Sequence, residues 1–130
     1  LAVVSEALLV VNVRGKGRGV RAGRRFRRDE VIERAPVLVL SVADWGIARQ
    51  TDLARYCFLW GATGRQAGIA LGTGSLFNHS YTPNAIARPL VRERLMEFLA
   101  LRDIEEDEEI TINYNGEPED GDPVGFRVVR

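Results

Sequence analysis

The chain has 130 residues, 45% hydrophobic and 28% charged, which suits one folded domain with a single modest core and excludes a disordered chain. Eighteen basic residues balance eighteen acidic ones, and a pI near 6.8 argues against a dedicated nucleic-acid binder. Cys57 is the only cysteine and His79 the only histidine, so neither an intrachain disulfide nor a zinc site built from cysteine and histidine can form.

Residues 7–13, rich in branched apolar side chains, predict a strand. This run is too short to cross a membrane, Arg14 closes it, and no basic leader or small-residue cleavage site accompanies it. No membrane partner or secretion signal is therefore expected, and a cytoplasmic, reducing compartment is. The glycine-punctuated stretch 15–19 reads as a loop leading to a basic turn. Residues 31–34 and 37–40 read as strands, with Pro36 marking a break or bulge between them. Good helix formers over 43–53 predict a helix, weakened by Gly46. Residues 56–60 form an aromatic, apolar run ending at Gly61, and 69–71 are a short apolar piece between glycines. A loop with short helical turns is expected over 72–84, strands over 85–90 and 95–101, and a last, cleanly alternating strand over 110–114. The acidic, glycine- and proline-bearing stretch 115–125 reads as loop, with Phe126 and Val128-Val129 able to dock it back.

Two stretches echo each other. Residues 26–32 and 104–110 both run apolar, two charged, Asp, Glu, then apolar, which predicts two hairpin turns with Asp in the left-handed position. Charge is also segregated: Arg14, Lys16, Arg18, Arg21, Arg24, Arg25, Arg27 and Arg28 make the early part basic, and 103–122 is dominated by Asp and Glu. Such polarity steers an ionic partner or forms solvated faces. Many short strands with little helix imply a small, mostly β domain.

Three segments carry chemistry. Lys16-Gly17-Arg18-Gly19-Val20 lets backbone approach a ligand closely, without the spacing of a Walker loop or the helix of a dinucleotide fingerprint. Asn78-His79-Ser80-Tyr81-Thr82-Pro83-Asn84 reads as a rigid polar loop. Glu109-Ile110-Thr111-Ile112-Asn113-Tyr114 delivers a tyrosine at the end of a strand, where either a packed core ring or a working hydroxyl could stand.

In this order the three segments resemble the SET domain of lysine methyltransferases, over about residues 11–115 of a single domain. The resemblance implies several small curled β-sheets with few short helices, and a last segment threaded under a loop as a pseudoknot. It implies S-adenosylmethionine as cofactor, S-adenosylhomocysteine as product, no metal, and a lysine-containing basic protein or peptide as substrate. Lys16, Gly17, Arg18, Gly19, Leu76, Asn78 and His79 would lie along the cofactor. Tyr114 would be catalytic, and Tyr56 and Ile112 would line the lysine channel.

Some positions depart from the family pattern. Asn113 stands where Asp is usual, Tyr81 where Cys is frequent, and Ser75-Leu76 where many members carry Arg-Phe. Ile112 occupies the position where Phe or Tyr commonly tunes how many methyls are added. No cysteine-rich, zinc-binding flank is expected, so the acidic tail around 117–122 with Phe126, or the second subunit of a homodimer, is expected to close the channel. Two other readings remain at this level: a SET-fold module without activity, and a basic β domain binding nucleic acid through 14–28. The enzyme itself requires no nucleic acid.

Overall fold

The structure is a computed structural model and describes residues 2–3 and 6–124, so the expected docking of Phe126 and Val128-Val129 falls outside the described residues. Its strands are β1 (Ala2–Val3), β2 (Leu8–Val13), β3 (Gly17–Ala22), β4 (Val31–Leu40), β5 (Cys57–Trp60), β6 (Gln66–Ala70), β7 (Asn78–His79), β8 (Ala85–Leu90), β9 (Leu95–Ala100) and β10 (Thr111–Ile112). One α-helix, α1 (Val42–Ala48), and two single 3-10 turns, Asp52–Tyr56 and Thr73–Leu76, complete the described elements. Three sheets result, in strand orders β1-β2-β3, β5-β6-β4-β9-β8 and β10-β7, matching the expected set of small sheets. No helix of the described residues is long and apolar enough to cross a membrane.

Several boundaries correct the sequence reading. The loop expected over 15–19 is shorter: Gly17, Arg18 and Gly19 already belong to β3, paired with Val13, Asn12 and Val11 of β2. The two strands expected around Pro36 are one ten-residue strand. Proline is tolerated there because β4 changes partner at that point. Before it, residues pair with β9; from Val37 onward they pair with β6. Val37 N–H reaches Arg94 O and the Pro36 carbonyl accepts from Leu71, so no donor is required of Pro36 itself. The helix expected over 43–53 ends at Ala48. Ser41 Oγ caps its start, and Thr51 then opens the separate 3-10 turn.

The core lies between the large sheet and the segments that cross it, with Phe26, Phe77, Phe98, Met96, Ile104 and Ile110 all fully enclosed. Phe98 on β9 meets the edges of Phe77 (5.0 Å) and Phe58 (6.1 Å). Gly74 lies so close to it that a Cβ there would sit 2.1 Å from the Phe98 ring. Truncating Phe98 to alanine would cost roughly 3–5 kcal/mol.

The two echoing turns are related by a local two-fold. Asp29 and Asp107 both have φ 69°, the left-handed position the sequence predicts, but neither turn closes the expected hairpin: β3 does not pair with β4, nor β9 with β10. Phe26 and Ile104 exchange backbone hydrogen bonds, each N–H donating to the other's carbonyl (2.9 and 2.8 Å). Asp29 donates to Ala100 and Ala100 to Glu30; by the same two-fold, Asp107 donates to Ala22 and Ala22 to Glu108. Arg24 pairs with Glu30 as Arg102 pairs with Glu108. Arg25 and Asp103, 78 positions apart, meet across the centre at 2.7 Å.

Candidate active site

The segment after the second turn joins neither of the larger sheets. β10 runs parallel to β7, pairing Thr111 with Asn78 and Ile112 with His79. The strand expected over 110–114 is thus only two residues long. It does not alternate, because Ile110, Thr111, Ile112 and Asn113 are all buried, with protein on both sides. The loop 80–84 holds it in place. Ser80 N–H donates to Ile112 O, Asn84 Oδ1 accepts from Thr111 N–H, and Asn84 Nδ2 donates to the Glu109 carbonyl. This is the expected pseudoknot, and buried Asn84 is the residue that ties it.

Beside the crossing lies a cavity of about 980 Å³. It is lined by Lys16, Gly17 and Arg18, by Leu76, Asn78 and His79, by Ile112 and Tyr114, and on its far side by Tyr56. Nine of the ten expected site residues therefore meet in one space. The tenth, Gly19, sits just behind it, where a Cβ would come within 2.5 Å of Asn78 Nδ2 and 2.8 Å of Glu109 Oε2. Gly17, at φ 76°, has open space where a Cβ would point. Room for an elongated ligand, and a backbone brought up against it by glycines, fit an adenosyl cofactor.

Glu109 organises this corner. Its carboxylate accepts from Lys16 Nζ and from Asn78 Nδ2, each at 2.8 Å, joining all three motifs. Lys16, the sole lysine of the chain, is thereby committed to an ion pair whose side chains are 17% and 19% exposed. The sequence reading missed this role of Glu109. The one clue was a lysine standing alone among arginines.

Tyr114 is held from both ends. Its N–H donates to His79 Nδ1 (3.0 Å), and its hydroxyl donates to the Phe77 carbonyl (2.8 Å). The residue lines the cavity and is 42% exposed, while its hydroxyl is tied back to the Phe77 carbonyl. Burial first, then the Glu109 charge and Tyr56, push the phenol up to about 12. It stays protonated at neutral pH and cannot serve as a ready base. The buried His79 is pushed down from its ordinary value, by desolvation and then by Lys16, and its Nδ1 already accepts from Tyr114. Among the described residues no three His, Cys, Asp or Glu side chains are grouped to hold a metal.

The departures also find places. Ser75 Oγ donates to the Ala70 carbonyl, Tyr81 packs edge-on against His79 (4.4 Å), and Asn113 is buried.

Tyr114 beside Asn78-His79 thus faces the glycine-bearing strand β3 across one partly open cavity. The SET-domain family matches residues 17–115, and the chain belongs to it. Over 115 residues the chain is 35% identical to a Schizosaccharomyces pombe protein named histone-lysine N-methyltransferase, H3 lysine-37 specific, covering 88% of this chain and 77% of that one. A crystal structure from Plasmodium falciparum, described as a histone methyltransferase by provisional assignment, superposes with TM-score 0.64 at 24% identity, over 85% of this chain and 95% of that one. The Cryptosporidium protein CpSET8 superposes with TM-score 0.66 at 24% identity, over 90% of this chain and 59% of that one. At such identity the two structures establish the shared fold.

Proposed function

We propose that this chain is an S-adenosylmethionine-dependent methyltransferase that adds methyl groups to the ε-amine of lysine in a basic protein. The observation that carries this reading is Tyr114, fixed at backbone and hydroxyl in the cavity that also gathers Lys16, Asn78 and His79. The relative from S. pombe is named for histone H3, and the same substrate class, a basic chromatin protein, is proposed here.

S-adenosylmethionine supplies a sulfonium methyl, which a neutral amine takes by in-line displacement. Lys16, Gly17, Arg18, Leu76, Asn78 and His79 line the space proposed for it, and Gly19 shapes the wall behind. The Tyr114 hydroxyl has its proton engaged by Phe77 O, so its oxygen offers acceptor character, suited to orienting a partly positive methyl. Tyr56 and Ile112 are proposed to line the lysine channel, whose walls include the apolar Phe58 and Met96. An apolar channel favours the uncharged amine, whose formation at pH 7 costs roughly 4.6 kcal/mol in water. Among the described cavity residues no carboxylate is present, so the amine's proton is proposed to leave to water.

Leu59, which lines the cavity near Tyr56 and is 66% exposed, leaves that wall apolar and open, and a second copy of the chain is the proposed cover. Sedimentation at rising protein concentration checks that point. The lone Cys57 suits a reducing compartment, and a cytoplasmic or chromatin-associated location is proposed on that basis. The deciding experiment is calorimetric titration with S-adenosylmethionine and S-adenosylhomocysteine, alongside methyl transfer to histone peptides. Saturable binding lost in Asn78→Ala and His79→Ala, with methylated lysine in the product, is expected. A folded chain that binds neither ligand at millimolar concentration overturns the proposal.

A further inference from the structure

Two of the departures from the family pattern, Asn113 and Tyr81, act on the same piece of chain. The stretch after Tyr114 forms no helix or strand up to residue 124, and it carries the exposed acids Glu117, Glu119 and Asp122. Nothing in its composition would order it. Yet it turns back onto the site, and Gly116 and Val124 both line the cavity.

Hydrogen bonds from three side chains hold it there. Buried Asn113 donates through Nδ2 to the carbonyls of Asp120 (2.7 Å) and Pro118 (3.3 Å), while its Oδ1 accepts from Asn115 N–H (3.0 Å). Asn115 Nδ2 (2.8 Å) and the Tyr81 hydroxyl (3.0 Å) both donate to the Asp122 carbonyl. The chemistry at residue 113 is specific. Two backbone carbonyls face its nitrogen and one N–H faces its oxygen, so an amide satisfies every partner, whereas a carboxylate could only accept. Tyr81 ties the strap to the cofactor side, because its ring packs on His79, the acceptor for Tyr114 N–H.

From this convergence we infer that Asn113, Asn115 and Tyr81 are positioning residues that clip the strap 116–124 over the cavity as a wall of the cofactor site. The inference rests on the methyltransferase reading. The clip acts by pre-ordering: a wall already in place spares the bound ligand the entropy of ordering it. Losing the clip should therefore weaken cofactor affinity without unfolding the body.

The test compares the whole chain with Asn113→Asp and with Tyr81→Phe. Amide hydrogen exchange is read without ligand at Asp120 and Asp122, whose N–H groups bond to Glu117 O and Asp120 Oδ1. Both variants should exchange there about tenfold faster, Tyr81→Phe at an unchanged melting temperature and Asn113→Asp at a lower one, because its carboxylate would face two carbonyls in a buried position. Both should bind S-adenosylhomocysteine at least fivefold more weakly, Asn113→Asp more so, and Tyr81→Phe should raise the cofactor KM more than it lowers kcat. If Asn113→Asp does not fold, the pair Tyr81→Phe with Asn115→Ala, which removes both donors to Asp122 O, carries the same test. Faster exchange with unchanged affinity would remove the strap from the cofactor site. Unchanged exchange would remove the clip. An unaltered chain that binds no ligand would overturn the methyltransferase reading, and this inference with it.

Discussion

The two turns at 26–32 and 104–110 share backbone conformation, mutual hydrogen bonds and an arginine–glutamate pair, yet they lead to different places. After the first turn, Val31 enters β4, pairs with Leu99, and begins a strand whose work is packing. After the second, Glu109 bridges Arg21 from the matching position. Its carboxylate then gathers Lys16 and Asn78, and the next five residues are threaded to Tyr114. The shared geometry is scaffold, whereas the chemistry depends on what each turn delivers. Disturbing the common part should change stability alike on both sides. Changing the delivered residues should alter function on one side only.

The largest effect is expected at the end of the second path. Tyr114→Phe keeps the ring and its contact with His79 but removes the oxygen that donates to Phe77 O. We expect kcat to fall roughly 10²- to 10³-fold, the size typical of losing one transition-state polar contact, with cofactor affinity held within about threefold. Full activity in this variant would take the hydroxyl out of the mechanism.

The exit residues themselves give the sharpest contrast. Glu109→Ala leaves the largely buried Lys16 ammonium and the Asn78 amide without their acceptor, which should cost about 1–3 kcal/mol of stability. It should also weaken cofactor binding about 10- to 100-fold. Val31→Ala, at the matching position, should cost about 1 kcal/mol or less and leave cofactor affinity unchanged. Thermal melts and ligand titrations on the pair check both halves. Equal losses of affinity would mean that the site depends on the scaffold as a whole.

The sequence exposes these layers unevenly. The turns are legible because Asp at a left-handed position between charged and apolar residues is a local signal, and both Asp29 and Asp107 obey it. Strands β8 and β9 are legible for the same reason, as local apolar runs around a short turn. β3 hides, because Gly17-Arg18-Gly19 has the composition of a loop and becomes strand only by pairing with β2 and pressing Gly19 toward Asn78 and Glu109. Residues 110–114 look like a half-exposed strand, but threading encloses both faces, which no local pattern encodes. Eight of the ten candidate residues could be named because they sit in the three motifs; Tyr56 and Leu76 lie outside them. Glu109 sits in one too, but its role depends on partners 93 and 31 positions away.

The smallest expected effect lies in the scaffold and concerns acid. The Arg24 guanidinium and then the Arg27 N–H hold the Glu30 carboxyl below its ordinary value of 4.5. At Glu108 burial pushes the other way, but Arg102, Asn84 and the Glu105 N–H outweigh it, and that carboxyl is also lowered. A carboxyl lowered on folding takes up its proton more readily in the unfolded chain. Its contribution is therefore complete above about pH 4.5 and is lost as pH falls through the folded value. In both pairs the arginine is exposed and the carboxylate half-buried, so solvent screens each contribution, and a fall in melting temperature of a degree or two at pH 7 is the expected scale for Glu30→Gln and for Glu108→Gln. Each variant should also lose part of the acid-side slope, and its curve should approach that of the unaltered chain as pH drops toward 3. Matching slopes would make the two turns equivalent as scaffold. A markedly larger loss in Glu108→Gln would mean that Asn84, which touches both Glu108 and the Glu109 carbonyl, transmits the turn's electrostatics into the knot.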